Sequence, residues 1–190
     1  MNETPAATGT RARILSTALR LFIDNGFEAT SVRDIAEQSG IAKSALYHHF
    51  RTKDDIVVSL VNQRLGEIEE LAEWIRGQPA GPDLALRAAL RWIDGSTPER
   101  LQAMRLGHAN PPLMRRLAAR GPSVRSVFDT IIDLLVPADA PPAQRLYVRM
   151  MFDSIAAALV SAQGITAGDA DILAAARRAT EALGNALGQD

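Results

Sequence analysis

The chain has 190 residues, 47% of them hydrophobic and 23% charged, with a formal net charge of -1 and no cysteine. This is the composition of a globular protein, in one long domain or two small ones, and it excludes disulfides and cysteine-ligated zinc. Residues 1–7 are polar, without the apolar stretch of a signal peptide, and no apolar run reaches the roughly 18 residues of a membrane span, so a cytoplasmic protein without membrane association is expected.

Helical periodicity begins with Ile14, Leu15, Ala18, Leu21 and Phe22, which predict a first helix over about 10–25, closed by Gly26 and Phe27. Ser31 with Asp34 three residues on is a capping-box start for a short second helix carrying Ile35 and Ala36. Gly40 marks the turn that follows, and Leu46 and Phe50 share one face of a third helix. Its opposite face holds Lys43, Ser44, Tyr47 and His48, donors for phosphates and base edges, and Ala45, whose methyl suits a thymine methyl. Residues 31–50 therefore read as a helix-turn-helix that meets DNA. His48 and His49 do not form a metal site, because adjacent residues on a helix point about 100° apart.

Thr52 and Asp55 start a long helix over about 53–76. Lys53 stands in its first turn, where its charge opposes the helix dipole, and a DNA phosphate is the expected reason. Residues 1–53 hold seven Lys and Arg against five Asp and Glu, a net charge of +2, so the remainder carries -3. Arg11 and Arg13, at the start of the first helix, are candidate phosphate contacts. The stretch GQPAGP at 77–82 ends the long helix and opens a second domain. Further helices are predicted near 83–94, 98–106, 112–119, 123–136, 142–163 and 169–187, with no strand pattern and no internal repeat.

From Thr10 to Lys53 the chain resembles the N-terminal domain of TetR-type (tetracycline-repressor-like) transcriptional regulators. The resemblance rests on ILSTALRLFIDNGFEATSVRDIAEQSGIAKSALYHHFRTKDDI, with Gly26-Phe27, Thr30-Ser31, Ile35-Ala36, Gly40, Leu46-Tyr47, His49-Phe50 and Lys53 at the family's spacing. Ala42 and Ala45 depart from it where hydroxyl residues are common, which bears on the target sequence. The resemblance adds Thr30 and Ser31 to the DNA-contacting set. It implies an all-α protein: a three-helix DNA-binding domain with its long connecting helix over 8–68, and a helical ligand-binding and dimerisation domain over 77–190. It further implies a homodimer that releases DNA when a small-molecule effector binds.

In the last two predicted helices, Met150, Ile155 and Leu159, and then Ile172, Leu173, Ala176 and Leu183, spread over more than one face. A helix apolar on two faces needs two partners, so these residues are candidates for a two-fold seam between subunits. A dimer also suits a reading helix that spans only a few base pairs, since two copies about 34 Å apart read a palindromic operator. Trp92, Met104, His108, Met114, Phe128, Tyr147 and Met151 are the candidate effector-lining residues of the middle helices, although most such side chains serve as core. No HExxH, GxSxG, P-loop or G-x-G-x-x-G pattern occurs, so no catalytic residue, cofactor or metal is expected. A ligand-responsive repressor is the expected function. The alternatives are an activator of the same family, or a helical module that binds DNA non-specifically or docks onto protein.

Overall fold

The computed structural model describes residues 5–119 and 124–187. Among the described residues there are ten α-helices and no strand: α1 (Pro5–Asp24), α2 (Val32–Gln38), α3 (Lys43–His49), α4 (Lys53–Arg76), α5 (Leu84–Asp94), α6 (Pro98–Ala109), α7 (Pro111–Ala118), α8 (Val124–Leu135), α9 (Pro142–Ser161) and α10 (Asp169–Leu187). The all-α architecture is the expected one. α1 starts earlier than its apolar stripe, because proline is well tolerated in a first turn and alanine propagates helix readily.

The described residues fall in two compact units, one within Met1–Arg64 and Glu99–Gly121, the other within Leu65–Pro98 and Pro122–Asp190. The first unit is built on the buried stripe of α1, joined by Ile35 and Ala36 of α2, Leu46 of α3, Phe50, and Ile56 and Val57 of α4. Phe22 and Phe27 meet edge to face with ring centres 5.0 Å apart. Leu106 of α6 and Leu113 and Leu117 of α7 are buried in the same core. This differs from the contiguous division into 8–68 and 77–190. Proline and glycine mark where helices end but do not say which core each helix joins, and α6 and α7 return to α1 and the start of α4. The other boundary lies inside α4, which continues without a break across it.

In the second unit, α10 packs along α9 and against α5. Gly184 permits the close approach: a Cβ there would stand 2.8 Å from a methyl of Leu86 on α5. Ser154 of α9 and Thr180 of α10, both buried, lie 2.9 Å apart, and each hydroxyl is within bonding distance of the Met151 carbonyl. Their polar groups are thereby satisfied where an unpaired hydroxyl would cost about 1–3 kcal/mol. α8 is tied to α9 by Arg145 with Asp133 and Arg149 with Asp129, each at 2.5 Å. The two pairs are four residues apart on both helices, one turn of an antiparallel register.

Candidate nucleic-acid interface

The spacing of short-range caps explains why this stretch turns where it does. The backbone N–H of Ser31 donates to Asp34 Oδ2 at 2.8 Å, and the Asp34 N–H donates to the Ser31 hydroxyl at 3.1 Å, a complete capping box at the start of α2. These Ser31 bonds, aided by the charge of Arg33, hold the Asp34 carboxyl below its ordinary value. Because the folded-state value is depressed, this contribution is present above the unfolded-state value and is lost as pH falls through the folded one.

At the other end of α2, the Gly40 N–H donates to the Glu37 carbonyl at 3.0 Å and the Ile41 N–H to the Ala36 carbonyl at 3.1 Å. With Gly40 at φ +65°, this is a Schellman ending, and Ile41 packs onto the core of the unit. α3 then begins at once. Leu46, fully buried, and Phe50 fasten one side of it inward.

The opposite side faces solvent. Lys43, Ser44, Ala45, Tyr47 and His48 are all exposed, and Tyr47 retains 44% of its surface. The Lys43 ammonium lies 5.7 Å from the centre of the Tyr47 ring one turn on, a cation–π contact of about 0.5–1 kcal/mol at an exposed site. Together these groups form a short polar ridge of donors with an aromatic plate and one methyl, suited to phosphates and base edges in a major groove. His49 is half-buried, with its ring centre 6.4 Å from that of Phe50. Among the described residues no group of three or more His, Cys, Asp or Glu could hold a metal ion.

Three of the sequence-derived contacts have work inside the unit. Thr30 is 1% exposed, and its hydroxyl reaches the carbonyls of Gly26 at 2.9 Å and Leu21 at 3.1 Å. It therefore seals the end of α1 and has no free surface for DNA, a correction to the resemblance-based set. Lys53 donates to the carbonyls of Phe27 at 2.7 Å and Glu28 at 3.2 Å, with its ammonium 4.6 Å from the Phe27 ring centre. A charge opposing the α4 dipole is thus explained by backbone carbonyls, and the phosphate is not required to account for it. Arg11, half-buried, donates to the Ser59 hydroxyl at 2.8 Å and lies 5.1 Å from the Phe50 ring centre.

Arg13 is exposed, as is Ser31, whose hydroxyl serves the capping box. Arg33 and Arg51 are further exposed cations, in the first turn of α2 and just after α3. At the start of α4 a second capping box forms between Thr52 and Asp55, as their spacing predicted.

The candidate effector residues are divided between the two units. Met104, exposed His108 and Met114 belong to the first, and the Met104 sulfur accepts from Arg64 at 3.7 Å. Trp92, Phe128, Tyr147 and Met151 belong to the second. There the Trp92 and Phe128 rings meet edge to face at 4.9 Å, and Phe152 lies 5.8 Å beyond Phe128. Of the candidate seam residues, Ile155, Leu159, Ile172 and Ala176 are buried within the subunit. These four are corrected from an outer face to the inner one, where α9 meets α10 and α5. Leu173 and Leu183 are partly buried, and Met150 is 51% exposed.

Residues 14–60 match the bacterial regulatory proteins of the tetR family. Over 67 residues the chain is 37% identical to the HTH-type transcriptional repressor KstR2 of Rhodococcus jostii, covering 35% of this chain and 33% of that protein. Over 94 residues it is 36% identical to the HTH-type transcriptional regulator AcrR of Shigella flexneri, covering 48% of this chain and 43% of the other. The chain thus spans less than half the length of these curated relatives.

Likeness of fold extends further than likeness of sequence. A TetR-family regulator from Agrobacterium tumefaciens superposes with a TM-score of 0.64 over 93% of this chain and 98% of its own, at 23% identity. The ketosteroid regulator KstR2 of Mycobacterium tuberculosis does so with a TM-score of 0.61 over 93% of both chains, at 20% identity. The FadR regulator of Bacillus subtilis, solved with stearoyl-CoA, gives 0.53 over 90% of this chain and 96% of its own, at 18% identity. The capping boxes, glycine turn and outward polar helix all lie in the residues that match, so the likeness of this chain to the bacterial regulatory proteins of the tetR family rests on its N-terminal part.

Proposed function

We propose that the protein is a cytoplasmic, dimeric transcriptional repressor that binds a palindromic operator and is released by a small-molecule effector. The observation that carries this reading is the solvent-facing ridge of α3, with Tyr47 at its centre and Leu46 buried beneath it. Repression is favoured over activation because the relatives matched include proteins named as repressors. A dimer is supported by apolar side chains that α9 leaves uncovered at helical spacing: Leu146 at 62% exposure, Met150 at 51% and Val160 at 48%. Two copies of that stripe would form a self-complementary seam.

The effector reading is carried by the second unit. Trp92, Phe128, Tyr147 and Met151 supply an aromatic and thioether environment for an apolar molecule, in keeping with the stearoyl-CoA bound by the Bacillus subtilis regulator of similar fold. α4 contributes residues to both units. The effector lowers operator affinity by as much as it prefers the non-binding state.

The test is selection of binding sites from random duplex DNA, followed by gel-shift against competitor. A single palindromic sequence should emerge, and Tyr47→Ala and Lys43→Ala should each weaken its binding by about 5- to 150-fold, the equivalent of about 1–3 kcal/mol per base contact, while leaving the dimer intact. Binding without sequence preference, or operator affinity unchanged in the folded double variant, would refute the assignment.

A further inference from the structure

The first unit is assembled from two separated stretches, and one charged contact joins them at a telling place. Arg116 of α7 forks onto Asp54 in the first turn of α4, with Nε 3.1 Å from Oδ2 and Nη2 3.0 Å from Oδ1. The planar guanidinium matches a carboxylate in this two-bond manner and fixes orientation as well as distance. Leu113 and Leu117, on either side of Arg116 in the sequence, are buried in the core of the same unit. The leucines hold α7 in place, so the fork forms with less ordering cost than an ordinary surface pair pays.

Asp54 stands in the turn that closes the reading head. Its neighbour Lys53 ties the Phe27 and Glu28 carbonyls, and its neighbour Asp55 completes the capping box with Thr52. A rotation of this turn would move the loop after α1 and, through it, the entry to α2. Arg116 therefore bears on the exposed face of α3 without being part of it. The segment 99–121 also arrives from, and returns to, stretches that fold in the second unit. The fork is thus the place where that segment meets the start of α4.

We propose that Arg116 is a positioning residue for DNA recognition: its bidentate bond to Asp54 favours the pose of the first turn of α4 in which the reading head binds operator. The assignment rests on the DNA-binding reading above. Loss of either partner lowers the fraction of molecules in the competent pose, and apparent affinity falls by that fraction.

A double-mutant cycle tests this, using full-length protein and the operator duplex obtained by selection. Arg116→Gln and Asp54→Asn should each weaken operator binding about two- to fivefold, and the double variant should be no weaker than either single one. Thermal unfolding is followed alongside, with binding measured well below every transition. Equal losses that do not add, in fully folded protein, support the role. Additive losses would overturn it. So would tighter binding by Asp54→Asn with weaker binding by Arg116→Gln, since Arg116 would then be a phosphate contact that Asp54 merely neutralises. Losses that track a falling folded fraction would make the pair structural only and equally overturn it. If the wild-type protein selects no duplex at all, the DNA-binding reading fails first, and the positioning role falls with it.

Discussion

Lys53 shows how a residue's neighbours in space decide its work. At the first turn of a helix a lysine is electrostatically misplaced, and the sequence alone suggests an external anion as compensation. The compensation is internal: two carbonyls and one aromatic face. Charged hydrogen bonds of this kind contribute about 1.5–3 kcal/mol each before solvent screening is counted. Lys53→Met should therefore lower the unfolding free energy by about 1–3 kcal/mol in urea titrations while leaving unchanged the slope of log affinity against log salt. A slope smaller in magnitude by about 0.9 would instead restore the phosphate role. Neither this role nor that of Thr30 was legible in the sequence. The carbonyls they meet become acceptors only once α1 has ended, and nothing in residue type announces which carbonyls a helix end leaves open.

Among the elements, α2 and α3 were the most legible, because everything that defines them lies within a few positions along the chain. Ser31 and Asp34 are three apart, and Gly40 and Ile41 close α2 through the carbonyls of Glu37 and Ala36 respectively. A side chain at Gly40 would meet nothing within 4 Å, so the cost of substitution is backbone conformation alone. Gly40→Ala is expected to destabilise the unit by about 1–2 kcal/mol, and Gly40→Asn by less, since asparagine tolerates the left-handed region. Equal losses for the two variants in chemical unfolding would show that something other than φ is at stake. α6 and α7 form where their spacing predicts helices, and their leucines join the core of the first unit. Leu106, Leu113 and Leu117 have helical spacing, which fixes a face but leaves open the core that receives it.

For the whole molecule, the same distinction separates the two sides of α9. Apolar spacing identified a helix with more apolar surface than one partner could cover, but it did not tell Ile155, fully buried, from Met150, half-exposed. The two make opposite predictions. Met150→Asp should leave thermal stability of the subunit nearly unchanged and shift sedimentation from dimer to monomer, weakening operator binding as the second reading head is lost. Ile155→Ala should instead cost about 2–5 kcal/mol of folding free energy. A Met150→Asp protein that sediments as a dimer would move the seam elsewhere.

The discontinuous first unit also sets a schedule for biosynthesis. As the nascent chain emerges, α1 to α4 are complete well before α7, and at about 5–20 residues/s several seconds separate them. During that interval the apolar flank awaiting Leu106, Leu113 and Leu117 is open to water and to chaperones. A ribosome stalled within α5 would therefore display a helix-turn-helix still lacking part of its own interior, which is completed only after residues 65–98 of the second unit have been made.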